Sequence, residues 1–156
     1  MTLTRREMLT GSLMSLACAG VRGETAPPEP FGALPSAHQL RWQQMETNAF
    51  LHFTVNTFTG KEWGDGDEDP SIFDPVDLDA DAIVLALKAG GMKGVILTCK
   101  HHDGFCLWPT KTTNHCVRFS RWRDGKGDVV GEVSRAAARH GLKFGEIGRA
   151  SCRERV

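Results

Sequence analysis

An α/β fold on a parallel sheet is what this sequence predicts, and three observations predict it. Short apolar runs alternate with segments of helical spacing, in the order strand, helix, strand, helix, strand, the rhythm of crossover-connected parallel strands. The central run, Val95-Ile96-Leu97 after Gly94, is unbroken and apolar, as in a strand buried on both faces. Connections are short after the helices and long after the strands. That asymmetry favours the amino-terminal strands and helices of a partial (β/α)8, TIM-like barrel over a dinucleotide-binding fold; neither GxGxxG nor a P-loop occurs.

Composition narrows the partner. The 156 residues are 40% hydrophobic and 24% charged, with 19 basic and 19 acidic side chains and a formal net charge of zero. This is globular composition without the basic field that nucleic acid requires. An uncharged polar partner such as a sugar suits it.

The chain begins with an expected export signal. Arg5 and Arg6 precede an uncharged, mostly apolar stretch from Met8 to Gly20, too short to span a bilayer as a helix of about 20 residues. Thr4-Arg-Arg-Glu-Met-Leu9 resembles a twin-arginine signal, and Ala17-Cys18-Ala19 offers cleavage after Ala19; Cys18 is alternatively a lipid-anchored cysteine. Residues 1–19 are therefore read as signal and 20–38, with Pro27, Pro28 and Pro30, as linker. A periplasmic or extracellular location follows, with no membrane contact beyond export or a lipid anchor. Of the five cysteines, Cys106 and Cys116 are candidates for pairing, but buried free thiols are the preferred reading.

The first helix is expected over Gln39–Glu46, leading inward through Leu40, Trp42 and Met45. Asn48–Thr54 reads as a strand through Phe50, Leu51 and Phe53, with His52 near its end. A long loop follows from Asn56 to Pro70. Its Asp65, Asp67 and Asp69 alternate like the start of a calcium loop, but Pro70 replaces the turn glycine and Val76 the closing glutamate, so these acids read as mostly a solvated loop. In Glu62-Trp63 a carboxylate stands beside a large aromatic, a pairing suited to a sugar: one accepts hydroxyl hydrogen bonds, the other stacks.

Asp77-Leu-Asp-Ala-Asp81 supplies capping acids for a helix over Ala82–Ala89, which Gly90-Gly91 ends. The central strand Gly94–Thr98 then delivers Lys100-His-His-Asp-Gly-Phe-Cys-Leu-Trp-Pro109. Ionisable groups at the carboxyl end of a buried strand are where α/β proteins place their chemistry. His101, His102, Asp103 and His52 could serve a metal-dependent hydrolase, but neighbours on an extended strand point to opposite faces, so the two adjacent histidines share one ion only if the strand has ended. Asp103 before Gly104 also suits a loop-fixing turn. After the loop Thr110–Lys126, Asp128 caps a helix over Val129–His140, and Leu142–Gly145 begins a third strand. Residues 146–156 are charged and without period, and they can be written, codon for codon, as a translation of a common sequencing adapter; they are read as an artefactual tail, with a natural basic tail as the alternative.

Four motifs now stand together: Phe50-Leu-His-Phe, Glu62-Trp-Gly-Asp-Gly, Lys100-His-His-Asp-Gly-Phe-Cys-Leu-Trp-Pro109 and Gly127-Asp-Val-Val-Gly-Glu132. In that order they resemble the amino-terminal part of the α-L-fucosidases of glycoside hydrolase family 29, over roughly residues 41–145. The loop Asn56–Gly66 more closely resembles the branch acting on α-1,3/1,4-linked fucose. The resemblance implies a barrel followed by a β-sandwich, and a retaining mechanism with an aspartate nucleophile and a separate acid/base. Both carboxylates lie beyond the third strand in the family, so no catalytic residue is assigned here and the fragment alone is expected to be inactive. It also implies that Phe50, His52, Glu62, Trp63, His101 and His102 hold fucose, with no cofactor and no metal. The partner implied is a fucosylated oligosaccharide or glycoconjugate; a non-catalytic carbohydrate-binding fragment is the alternative.

Overall fold

A computed structural model describes residues 26–148. The expected signal, Cys18, Cys152 and the tail from residue 149 lie outside the described residues. Residues 26–36 are extended chain with one bend at Gly32, and they belong to a unit separate from residues 37 onward.

Helix α1 spans Ala37–Gln44, two residues earlier than expected, and buries none of its side chains. It does not lead inward: Leu40 and Trp42 remain about half exposed. Strand β1 follows at Asn48–Leu51. It stops before His52, short of the expected Thr54, because its four residues are those that pair with β2, Asn48 to Gly94 through Leu51 to Leu97. A single turn, α2, covers Asn56–Thr59, and a 3-10 turn covers Pro70–Ile72.

Helix α3 is Ala80–Ala89. Of the three acids offered for its cap, Asp79 is used, its carboxylate accepting from the Ala82 N–H at 2.9 Å, so the helix begins two residues before the sequence-based start. Strand β2, Gly94–Lys100, is the most buried. Helix α4, Val129–His140, has the predicted bounds; Asp128 caps it through the Gly131 N–H at 2.9 Å, and Gly141 ends it at φ +76°. Strand β3 runs Lys143–Gly148, three residues past Gly145. Those three residues are exposed and continue the parallel register with β2, with the Glu146 carboxylate beside the Cys99 thiol.

All three strands are parallel and lie in the order β1-β2-β3. Successive crossovers therefore move in one direction, and α3 packs against α4. The outer row of β2, Val95, Leu97 and Cys99, shares a core with Val84 of α3 and with Val133, Ala136 and Ala137 of α4. Alternation sends Ile96 and Thr98 to the other face, where Ile96 is flanked in register by Phe50 and Gly145. The sheet thus has a helix-covered face and a face that carries polar groups at its carboxyl end.

The same core extends under the loops through Val55, Phe73, Phe105, Leu107, Val117 and Trp122. The Phe73 ring lies 5.0 Å from Phe105 and 6.0 Å from Trp122. Each such side chain contributes about 1.5–3 kcal/mol by leaving water. Gly127 packs so closely on Trp122 that an added Cβ would overlap the indole. Gly127→Ala should therefore displace Trp122 and lower stability by about 1–3 kcal/mol, read as a reduced denaturant midpoint.

Outside the core, α3 and α4 are clamped by Asp81, which meets Arg139 Nη2 at 2.6 Å and His140 Nε2 at 2.7 Å. Hydrogen bonding from Arg139 first, then from His140, holds the Asp81 carboxyl below its ordinary value. The clamp's contribution is full above that ordinary value and is lost as pH falls through the lowered one. Asp81→Asn should lower the melting temperature at neutral pH and converge with the parent chain at low pH, flattening the acid limb of the profile.

Candidate functional site

The site forms where β1 and β2 stop. Strand β2 ends at Lys100, and His101–Gly104 makes a turn closed by the Gly104 N–H to the His101 carbonyl at 3.0 Å; Gly104 accepts the positive φ of +76°. Asp103 is 1% exposed. Its Oδ1 accepts from the Phe105 N–H at 2.7 Å, and its Oδ2 accepts from the Thr54 hydroxyl at 2.5 Å. It therefore fixes the turn and ties it to the segment after β1. Because the strand has ended, His101 and His102 escape strand alternation and both line one cavity.

That cavity, about 600 Å³, is lined by His52, Glu62, Trp63, His101 and His102, together with Thr54, Asn56, Thr57, Gly60 and Lys61. Its volume is in the range of small-ligand sites. Rings run around it in sequence. His52 and His101 meet edge to face at 5.4 Å, His101 and His102 at 4.9 Å, and Trp63 leans on His102 at 4.4 Å. Thr98 Oγ1 lies 2.9 Å from His52 Nδ1 and orients that ring from β2. Trp63 remains 60% exposed, leaving indole surface for a ligand. Glu62 is exposed on the same wall.

Five of the six residues implied by the resemblance thus share one cavity. Phe50 stands apart: its ring stacks on His52 at 6.1 Å but is not in the wall. Thr54, Asn56, Thr57 and Lys61 are additional wall residues that the sequence reading did not single out. Their signal was position alone, in the first residues of the loop after β1.

Ligand atoms of His52, His101 and His102 do not converge as a metal set would require. Among the described residues, the group of three possible ligands that comes within 4.8 Å is Asp65, Asp67 and Glu68. Asp65, Asp67 and Asp69 are exposed, as a solvated loop requires. Asp69 leaves the alternating set to cap the 3-10 turn through the Ser71 N–H at 2.8 Å, while Glu68 is 9% exposed and accepts from the N–H groups of Asp65 and Gly66.

Cys99, Cys106 and Cys116 are free and buried, as expected. Burial, with Glu146 adding to it, pushes the Cys99 thiol up to about 11; burial also raises Cys106. Thiols held protonated and covered react slowly. Iodoacetamide should leave Cys99 and Cys106 unmodified in the native chain and label them after unfolding, as read by peptide mass mapping.

The described residues form a parallel α/β unit whose strand ends open into an aromatic- and histidine-walled cavity. The chain belongs to the alpha-L-fucosidase family, whose model matches residues 31–148. It is 51% identical over 118 residues to alpha-L-fucosidase 1 of Arabidopsis thaliana, covering 76% of this chain and 23% of that protein. Among solved structures it is similar to a glycoside hydrolase 29 family member from an unknown rumen bacterium, at 48% identity and a TM-score of 0.75, covering 77% of this chain and 22% of the other. It is also similar to the Ruminococcus gnavus GH29 fucosidase in complex with fucose, at 35% identity and a TM-score of 0.71, with 85% and 28% covered. The chain thus spans 22–28% of the length of these relatives.

Proposed function

We propose that these residues form the fucose-holding part of a retaining α-L-fucosidase, exported from the cell and built on a (β/α)8-like barrel of which β1 to β3 are the first strands. The observation that carries this reading is the ring of His52, His101, His102 and Trp63 around a cavity at the strand ends, in a chain of the family. Fucose carries no charge; it offers hydroxyls and one methyl group. Histidine rings donate and accept, Glu62 accepts, and the exposed Trp63 face covers an apolar face of the sugar. Buried partners left unpaired would reject analogues that lack a hydroxyl. The substrate class is a fucosylated oligosaccharide or glycoconjugate, with α-1,3/1,4 linkage the favoured form.

A retaining mechanism needs two carboxyl groups about 5–5.5 Å apart, one attacking the anomeric carbon and one protonating the leaving oxygen before activating water. The cavity wall holds a single carboxylate, Glu62. On this reading the described residues bind and orient the sugar, and the reacting carboxylates come from later strands of the complete barrel. The same count supports a second reading of the isolated chain as a binding fragment.

Assay of the full-length parent and of the 156-residue chain with a chromogenic α-L-fucoside separates the two, with turnover expected from the parent alone. In the parent, Trp63→Ala and His102→Ala should each lower kcat/KM by about 10- to 100-fold, equivalent to the loss of one or two ligand contacts. Unchanged kinetics in both variants would refute the assignment of this cavity.

A further inference from the structure

His52 reaches the cavity with one of its ring nitrogens already engaged. Leu51 pairs in register with Leu97, so the next residues along the two strands, His52 and Thr98, are neighbours across the sheet. The Thr98 hydroxyl oxygen lies 2.9 Å from His52 Nδ1. Two other rings hold the imidazole as well: Phe50 stacks on it with 17° between the planes, and His101 meets it edge-on at 84°. Those contacts set the plane of the ring. The hydrogen bond at Nδ1 sets which nitrogen carries the proton.

That bond can run two ways. Either the Thr98 hydroxyl donates to a bare Nδ1 and the ring proton sits on Nε2, or a protonated Nδ1 donates to the hydroxyl and Nε2 is bare. Burial separates the two. Thr98 is 0% exposed, and His52 Nδ1 is the partner its hydroxyl has among the described residues. In the second arrangement the hydroxyl proton would face neither water nor an acceptor, the costly state for a buried donor. In the first, both groups are satisfied. His52 itself is exposed and lines the cavity, which leaves its Nε2–H for a ligand.

We propose that Thr98 is a positioning residue that holds His52 as the Nε2–H tautomer, making it a fixed hydrogen-bond donor to an oxygen of the bound sugar. A neutral histidine free to exchange tautomers donates or accepts as its ligand requires; this one donates. The sugar hydroxyl beside it must therefore accept, and must pass its own proton to an acceptor. The Glu62 carboxylate on the same wall is such an acceptor. A site wired in this direction rejects a ligand that offers no lone pair at that position, because the Nε2–H would be left unpaired. The inference rests on the sugar-binding reading of the cavity, whereas the tautomer is a property of the protein before any ligand binds.

Nitrogen NMR of the histidine-labelled full-length parent, without ligand, reads the tautomer, with the His52 signals assigned by their loss in His52→Gln. The proton is expected on Nε2, and the bare Nδ1 should show the shift of a nitrogen that accepts a hydrogen bond. Thr98→Val keeps the branched shape, removes the hydroxyl and should abolish that shift. On a chromogenic α-L-fucoside, Thr98→Val should lower kcat/KM about tenfold, and Thr98→Ser, which returns the hydroxyl, should restore it to near the parent value. A proton on Nδ1, an Nδ1 signal indifferent to Thr98→Val, or a loss that Thr98→Ser fails to restore would overturn the proposal. A parent with the expected tautomer and no turnover of the fucoside would uphold the role of Thr98 in setting the ring and count against the fucosidase reading alone.

Discussion

The carboxylate of Asp103 is the constraint on which the site depends. Buried at 1% exposure, it takes a proton donor from each side: the Thr54 hydroxyl after β1 and the Phe105 N–H after β2. A carboxylate removed from water must be hydrogen-bonded by what surrounds it. Any arrangement that separated the two strand ends would leave this group unsatisfied. Holding them together places His52 against His101, and the turn Asp103 closes brings His102 beside His101 on the same wall. The ring system thus sits on a turn that one buried acid closes and ties to the segment after β1.

The elements were largely legible because they obey a period. Val95-Ile96-Leu97 could hardly be other than a buried strand, and α4 has the bounds that Asp128 and Gly141 announce. What the sequence concealed were properties set by partners far along the chain. The end of β1 at Leu51 depends on how far β2 runs beside it. The cap of α3 was one of three equally suitable acids. The acidic loop has no period at all, so nothing local distinguished buried Glu68 from exposed Asp67 or from Asp69, which turns aside to Ser71.

The candidate site was legible in kind more than in membership. Histidines after a buried strand, and a glutamate beside a tryptophan, pointed to one polar cavity, and the structure brings them to one wall. Phe50 shows one limit of reading membership from sequence: the penultimate residue of β1, it stacks its ring on His52 without lining this cavity. Asn56 shows the opposite limit. An asparagine opening a loop is unremarked in sequence, and here it is buried with Gly64, eight residues later, packed closely beside it.

Strand β2 also places two different demands on neighbouring codons. Val95, Leu97 and Cys99 answer to the helices, where volume is what matters and an aliphatic exchange of similar size is absorbed. Ile96 and Thr98, between them, answer to the opposite face, and Thr98 does so through a hydroxyl that no aliphatic residue can replace. Substitution along this strand should therefore be filtered by size at one position and by hydrogen-bonding chemistry at the next. Drift in the helix-covered row can then proceed independently of the row on the opposite face, so the core can be repacked while the hydroxyl that orients His52 stays in place.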